Sequence, residues 1–360
     1  VFGRMVQIGA IRAGLHLAHC SDPVGRLQPH LASSKPTFVL AVPRIFEKVY
    51  NGAEAKVDAA GKGKIFRNAA EVAVAYSEAI DKRGFNPLLT LKHALFDKLV
   101  YSKIRAALGG NVEGAISGGA PLGKRLGHFY RGAGVTIYEG YGLTETTAGA
   151  TLNITGNIEI GSVGRPIPGT TIKIAEDGEV LYRGPNVFIG YWGDTAKTEE
   201  VLKDGWLMSG DVGEIDVDGY LRIVDRKKEL IITSGGKNIS PSNLESEIRG
   251  IPLVGQAAVI GDNRPYCVCL VSLDPEYLEA WSHRHNLSVS EALESAELHA
   301  EISRGVDSVN ERFSRVEQIK KFVIVREFWT PGDDILTPTS KIKRRGVLSR
   351  YRDEIEEMYK

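Results

Sequence analysis

Cysteine is scarce, with 3 in 360 residues. That excludes a disulfide framework as the source of stability and makes a reduced, cytoplasmic setting the simplest expectation. Cys267 and Cys269 stand two apart on an apolar run, so both point to one face of a strand and lie too close in sequence for an easy bridge. Net charge is missing as well: Lys+Arg and Asp+Glu are 45 each. The balance argues against the broad basic footprint of a nucleic-acid binder while leaving room for a local pocket for a small anion. No apolar run reaches the length of a membrane span, because Arg4, Arg12 and later charges interrupt the first segment. No stretch reads as a signal peptide, and repeats and low-complexity tracts are absent.

What is present is ordinary for a globular chain, 42% hydrophobic and 25% charged. The length suggests two domains. The chain opens Val1-Phe2-Gly3-Arg4, without Met and inside an element, and reads as a piece of a longer protein. Residues 1–20 read as an apolar helix in which Gly3, Gly9 and Gly14 allow close packing, with His16, His19 and Cys20 packed on it rather than holding a metal. A short buried strand at 37–42 stops at Pro43, and helical patterning then runs to about Leu108, broken at 61–64 and at Gly84-Phe85-Asn86-Pro87.

From Val112 the texture alternates: strand 112–116, glycine turn 117–121, helix 124–131, strand 135–138. That order predicts a parallel sheet with crossover helices, whose ligands sit beyond the C-terminal strand ends. The expected class is α/β. From 156 to 226 short strands and turns predict a small antiparallel β subdomain. A compact α+β unit follows, with strands expected at 230–233, 257–260, 268–273 and 322–325, and with Ser240-Pro241 opening a helix that runs through Arg249.

The densest chemistry lies in Tyr138-Glu139-Gly140-Tyr141-Gly142-Leu143-Thr144-Glu145-Thr146. A ring that can stack on a purine, glycines that admit a nucleotide, a hydroxyl for a phosphate and a carboxylate for Mg²⁺ fall within one turn. Gly118-Gly119-Ala120-Pro121-Leu122-Gly123-Lys124-Arg125 nearly matches a P-loop, but Arg125 replaces the hydroxyl residue that would ligate Mg²⁺. A tight strand-to-helix turn or a backbone wall for a flat ligand are the other readings. The segment 233–241 reads as turn chemistry. Lys341-Ile342-Lys343-Arg344-Arg345 reads either as a solvated basic helix start or, after Leu336-Thr337-Pro338-Thr339-Ser340, as a loop presenting Lys341 to another surface.

On these residues, with Gly205-Trp206-Leu207-Met208-Ser209-Gly210-Asp211 and Asp225-Arg226-Lys227-Lys228, the chain resembles the adenylate-forming enzymes along nearly its whole length. That superfamily spans acyl-CoA synthetases, peptide-synthetase adenylation domains and luciferases. Val42 to Tyr50, the helical insert after it and Leu336-Thr337-Pro338-Thr339 are most similar to bacterial long-chain fatty acid–CoA ligases. The resemblance implies the C-terminal part of a large multi-subdomain adenylation domain over 1–226, a hinge at 225–228 with Lys228 as the hinge residue, and a small mobile domain over 229–360. It implies that a fatty carboxylate attacks ATP, releasing pyrophosphate, and that CoA then takes the acyl group, the small domain rotating between the steps. It places Gly118, Gly119, Ala120 and Pro121 in the adenine and acyl wall. Tyr141 would stack on adenine, with Glu139, Gly140 and Gly142 around it. Thr144 would touch phosphate, and Glu145 would hold Mg²⁺. Asp211 would bind the ribose hydroxyls with Ile223 packed near them, and Arg226 would bond ribose or phosphate oxygens. Gly235 and Gly236 would line the pantetheine path, and Lys341 would serve the adenylation step. Thr144, Glu145, Arg226 and Lys341 would be the catalytic set.

Three departures accompany the resemblance. The family's Ser/Thr/Gly-rich phosphate loop normally precedes everything seen in these residues, so this chain alone is expected to have little ligase activity. Ser340 stands where many members have Gly, and Asp225 replaces a frequent Gly. A fatty acyl-AMP ligase that loads a carrier protein keeps the fold but usually carries an insertion near the hinge. None is evident around Arg226–Glu229. A non-catalytic nucleotide-binding protein is the remaining alternative. The expected partners are a long-chain fatty acid, ATP and CoA, with no nucleic acid, and with peripheral membrane contact suited to a substrate that partitions into bilayers.

Overall fold

The structure, a computed structural model, describes residues 1–20, 26–82, 84, 86–337 and 340–360. It divides into two compact units, Val1–Lys227 and Lys228–Lys360. Phe85, Pro338 and Thr339, named in two of the expected loops, lie outside the described residues.

In the first unit, β1 (Phe38–Ala41), β2 (Gly114–Ser117) and β3 (Thr136–Tyr141) pair in parallel in that order. β4 (Thr151–Leu152) and β5 (Arg165–Pro166) extend the sheet antiparallel. The crossovers are helical because Pro43 cannot continue a strand ladder but suits the first turn of the helix Pro43–Ala59. Asn86 likewise caps the helix Pro87–Phe96 by accepting from the Leu89 N–H at 3.1 Å. The core behind the sheet is aromatic: Phe46, Tyr50, Phe66, Tyr101, Phe129 and Tyr130 are all buried.

β3 is longer than the sequence pattern predicts. It runs through Gly140 and Tyr141, whose backbones pair with Leu152 and Thr151. Tyr141 is therefore a strand residue rather than part of a turn. The N-terminal expectation is also corrected. The helix covers Phe2–Ala13 only and stops at Gly14, which takes the left-handed cap (φ 65°). His16 and His19 follow it, exposed, instead of packing on it. Nothing described lies within 4 Å of a side chain built at Gly3, Gly9 or Gly14.

The β subdomain is β6 (Thr171–Ile174), β7 (Glu179–Arg183), β8 (Leu202–Lys203), β9 (Trp206–Ile215) and β10 (Leu221–Arg226), ordered β10-β9-β7-β6 with β8 on β9. In the second unit β11 (Ile231–Ile232) pairs with β12 (Asn238–Ile239). A three-stranded sheet follows, β13 (Val254–Ile260), β14 (Cys267–Leu273) and β15 (Ile319–Val325). Strand alternation splits β14 between two cores. Cys267, Cys269 and Val271 face the cluster around Trp281 and Leu298, whereas Val268 and Leu270 face the cluster around Trp329 and Tyr351. Both thiols are buried and free, and burial pushes that of Cys267 up to about 11.

Candidate functional site

The C-terminal ends of β2 and β3 bring two of the singled-out segments side by side, with Ser117 opposite Glu139. The turn Gly118–Pro121 leaves β2 through Gly119, at φ 85°. A side chain at Gly118 would lie 3.4 Å from the Gly140 carbonyl, so the turn rests against the end of β3. Arg125 is used for packing: it donates to the Tyr50 hydroxyl at 3.1 Å and lies over that ring. Glu139 is buried, and its carboxyl Oε2 accepts the Leu122 N–H at 3.2 Å, tying β3 to the turn. Burial pushes its carboxyl up to about 8, against the lowering effect of the Leu122 and Gly161 amides.

A pH dependence follows from Glu139. The unfolded carboxyl gives up its proton near its ordinary value of 4.5, whereas the folded one keeps it until about 8. The folded state therefore binds the extra proton between these values, and stability falls as pH rises through that window. Glu139→Gln should remove this slope. Thermal melts at pH 5.5 and 8.5 should differ less in the variant, by several degrees, and equal slopes in both proteins would refute the assignment.

The β subdomain supplies the neighbouring cluster. Asp211 is buried on β9 and faces Arg226 of β10, whose Nε lies 3.0 Å from the carboxylate. The ladder slips between Ile223 and Asp225, and that slip sets Arg226 opposite Asp211. The Tyr141 hydroxyl donates to the same carboxylate. Burial above all, with Tyr182 and Asp211 nearby, raises the Tyr141 pKa far above its ordinary value, so it remains a donor. Its ring stacks on Tyr182 with centroids 5.9 Å apart, and Ile223 packs in the same apolar cluster. The structure thus brings Tyr141, Asp211, Ile223 and Arg226 together from three strands.

After β3 the chain makes a short 3₁₀ turn at Thr144–Thr146. Thr146 is buried, and its hydroxyl accepts the Leu143 N–H at 2.8 Å, whereas Thr144 is exposed. Glu145 is half-buried, and its Oε1 accepts from the Tyr191 hydroxyl at 2.7 Å. The Phe188 amide bonds the Glu145 carbonyl at 2.8 Å. The Asn186 side-chain amide donates to the carbonyls of Thr146 and Gly149, and the Thr147 hydroxyl returns a bond to Asn186. Tyr191 is itself held, its amide bonding Thr198 Oγ1 at 2.9 Å and its ring meeting Phe188 edge-on. Its hydroxyl is pushed up to about 12, chiefly by the bond to Glu145. Sequence reading missed Asn186 and Tyr191. The only signal was the aromatic and glycine cluster Phe188-Ile189-Gly190-Tyr191-Trp192.

In the second unit Lys228 is exposed at the first position. Gly235 and Gly236 form the exposed tip of the β11–β12 hairpin, Gly236 at φ 72°. Lys341 sits on a tight loop. The Thr337 amide donates to the Lys341 carbonyl at 2.8 Å, and the Lys341 amide bonds Thr337 Oγ1 at 3.0 Å. Ser340 takes φ 62°, the left-handed region that glycine adopts at no cost. Asp333 braces the loop base by accepting from the amides of Ile335 and Leu336. The basic run is not uniform: Lys341 is exposed, whereas Arg344 is drawn inward to buried Glu245 at 2.9 Å and to the Val259 carbonyl at 3.1 Å.

Comparison with known proteins is consistent in direction. Residues 1–192 match the family described as AMP-binding enzyme, and residues 228–360 match the AMP-binding enzyme C-terminal domain. The chain is 48% identical over 363 aligned positions to a Mycobacterium bovis protein named long-chain-fatty-acid–CoA ligase FadD15, covering 100% of this chain and 60% of that protein. It is 32% identical to long chain acyl-CoA synthetase 4 of Arabidopsis thaliana, covering 100% of this chain and 56% of that one. The chain therefore spans well under two thirds of these relatives' length. In fold it is similar to the adenylation domain of a carboxylate reductase from Mycobacterium chelonae, with TM-score 0.71 at 22% identity, over 94% of this chain and 49% of that one.

Proposed function

This chain belongs to the AMP-binding enzyme family, and from that premise we propose that it carries the nucleotide-binding edge and the C-terminal unit of a long-chain fatty acid–CoA ligase. The observation that carries the reading is the convergence of the Tyr141 hydroxyl and the Arg226 guanidinium on buried Asp211, beside the Gly118–Pro121 turn. A buried carboxylate with two fixed donors is an acceptor prepared for a diol, and a ribose is the diol that AMP presents. Gly118 to Pro121 give backbone that a flat base can approach, and Gly140 and Gly142 let the chain around Tyr141 pack closely on Leu152 and Ala148. Thr144 supplies a hydroxyl to phosphate, Lys341 a cation to the charge that grows on the oxygens around phosphorus, and Gly235 and Gly236 a low wall for pantetheine. Asp225 to Lys228 is the proposed hinge.

Magnesium fits the donor set. Among the described residues no cluster of three or more His, Cys, Asp or Glu could hold a metal ion. Mg²⁺ in phosphate chemistry commonly takes one or two carboxylates and fills its shell with phosphate oxygens and water. Glu145 would be that carboxylate, Oε1 engaged by Tyr191 and Oε2 left for the cation, which when bound would offset phosphate charge. Tyr191→Phe removes the orienting bond and leaves the ring packing. It should raise the Mg²⁺ concentration for half-maximal nucleotide binding roughly ten-fold, the usual range for a lost orienting partner. Titration calorimetry with ATP at varied Mg²⁺ reads this without turnover, and an unchanged requirement would remove Tyr191 from the role.

The activity itself is tested on the intact enzyme of the relatives' length. ATP-dependent, acid-dependent pyrophosphate release should be greater with palmitate than with acetate, and the acyl group should pass to CoA. Transfer to an acyl carrier protein but not to CoA would favour an acyl-AMP ligase instead, and nucleotide binding without pyrophosphate release would make the protein a non-catalytic binder.

A further inference from the structure

The loop that carries Lys341 is fastened on both sides to one edge strand. Among the described strands β13 pairs with β14 alone, so its outer edge is open to other partners. Gln256 of β13 is buried, and its Nε2 donates to the carbonyl of Ser340, next to Lys341, at 3.4 Å. On the other side the chain enters the helix Arg344–Arg350, and Arg344 turns back onto the same strand. Its Nη1 donates to the Val259 carbonyl at 3.1 Å.

Glu245 closes this attachment. It is buried on the helix Pro241–Arg249, and its Oε1 accepts the Val259 N–H at 2.8 Å. Arg344 grips both carboxylate oxygens, with Nη1 2.9 Å from Oε1 and Nη2 3.1 Å from Oε2. The pair thus takes the N–H and the C=O of one strand residue while its members bond each other. A guanidinium suits this, because its donors leave a planar fork in fixed directions, whereas an ammonium has no such fork. Farther out, Glu229 lies 3.6 Å from Arg344 Nε. The turn between Lys341 and this anchor is stiff. The Lys343 amide bonds the Ile335 carbonyl at 2.7 Å, and Lys343 Nζ bonds the Asp333 carbonyl at 2.6 Å. A side chain at Gly346 would fall 2.0 Å from the Asp334 carbonyl, so the helix start presses on the loop base.

We propose that Arg344, held by Glu245, is a positioning residue for adenylation: it fixes where the Lys341 loop leaves the sheet, and so where the ammonium arrives. The proposal rests on the reading of Lys341 as the adenylation lysine. That side chain is a long flexible stem, so the fold can set only the backbone it starts from. A displacement of about 1 Å, even from a change remote from the chemistry, can cost roughly a hundred-fold in rate. Stability alone gives little reason for the pair, since well-packed apolar residues of similar volume are often as stable as a buried ion pair. What the pair adds is direction: four short polar contacts tie one point of the loop to one point of the strand.

The test is a cycle on the intact enzyme: wild type, Arg344→Lys, Lys341→Ala and the double variant. Each is measured for acyl-adenylate formation and for thioester formation from supplied acyl-AMP. Arg344→Lys keeps the charge and loses the fork. It should slow adenylation roughly ten- to a hundred-fold, in kcat and not in KM for ATP, and leave thioester formation within about two-fold of wild type. In the Lys341→Ala background the same change should cost adenylation nothing further, because Arg344 acts through that ammonium. A merely structural role would slow both half-reactions and add to the Lys341→Ala loss. If Arg344→Lys melts far below the wild type, Glu245→Gln/Arg344→Met takes its place. That variant strands no buried charge and keeps an acceptor for the Val259 amide, so it should melt within a few degrees of wild type and still adenylate slowly. Full adenylation by a folded variant, or a loss that adds to that of Lys341→Ala, would overturn the positioning role. So would failure of both variants to fold, which would make the pair structural. Lys341→Ala that adenylates as fast as the wild type would overturn the reading of Lys341, and the proposal with it.

Discussion

Lys341→Ala in the intact enzyme should slow formation of the acyl-adenylate by two to three orders of magnitude, roughly the loss seen when one donor to a developing oxyanion is removed. Thioester formation from supplied acyl-AMP should survive nearly unchanged. Its dependence on one step follows from the proposed role: negative charge grows on oxygens around phosphorus in the first half-reaction, and the second breaks an acyl–phosphate bond that no longer needs that cation. The loop holds this lysine through backbone bonds that do not depend on its side chain, the Thr337 amide to the Lys341 carbonyl and the Lys341 amide to Thr337 Oγ1. The alanine variant should therefore keep the loop and the fold. Single-turnover measurements of each half-reaction distinguish the outcomes. Equal loss of both steps would show that Lys341 supports the structure of the site and not the chemistry of adenylation.

Gly142→Ala should be the most damaging single substitution at the nucleotide edge. An added Cβ would fall 1.6 Å from the Ala148 carbonyl oxygen, 2.6 Å from its carbon and 3.0 Å from the Ala150 nitrogen. All three are backbone atoms, so no rotamer change relieves the contact. The loop has little slack, because Thr147 and Ala148 already take φ 54° and 82°, and Asn186 pins the carbonyls of Thr146 and Gly149. The added methyl should cost about 3 kcal/mol or more by overpacking, roughly 6–12 °C in melting temperature for a unit of this size. It should also displace Thr144 and Glu145 enough to weaken ATP binding about a hundred-fold. Ala148→Gly alone should be slightly stabilising, since a non-glycine residue at positive φ costs about 1–2 kcal/mol, and it should rescue part of the Gly142→Ala loss. Additive effects of the two changes would mean that the clash is relieved elsewhere and that the loop is not the rigid unit described.

Much of the fold is legible in the chain because its signals are local. Pro43 and Asn86-Pro87 mark helix starts, alternation marks the strands of both units, and glycines mark the turns. The parallel order β1-β2-β3 follows from strand–helix alternation and the handedness of crossovers. Errors of extent fell where pairing decides. Tyr141 belongs to β3 because β4, ten residues on, supplies partners for its backbone, and a residue flanked by glycines gives no local sign of that. At the N-terminus a stretch apolar enough for twenty helical residues stops at Gly14, because one left-handed residue ends a helix whatever the hydrophobicity beyond it.

The sequence by itself determined the chemical inventory: an aromatic, glycines, a hydroxyl and a carboxylate within Tyr138–Thr146, an Asp at 211, an Arg at 226 and a Lys at 341, in an order that identifies the family. Residue type and spacing suffice for that, since each group's capacity to stack, bond or carry charge is intrinsic to its side chain. Only the tertiary structure decided how the groups are used. A register slip in β10 turns Arg226 onto Asp211. Residues forty or more positions away, Asn186 and Tyr191, hold the Thr144–Thr146 turn, and burial keeps a proton on Glu139 to about pH 8. These are properties of distances between remote segments and of the water that packing removes, and neither is written in any local stretch of chain.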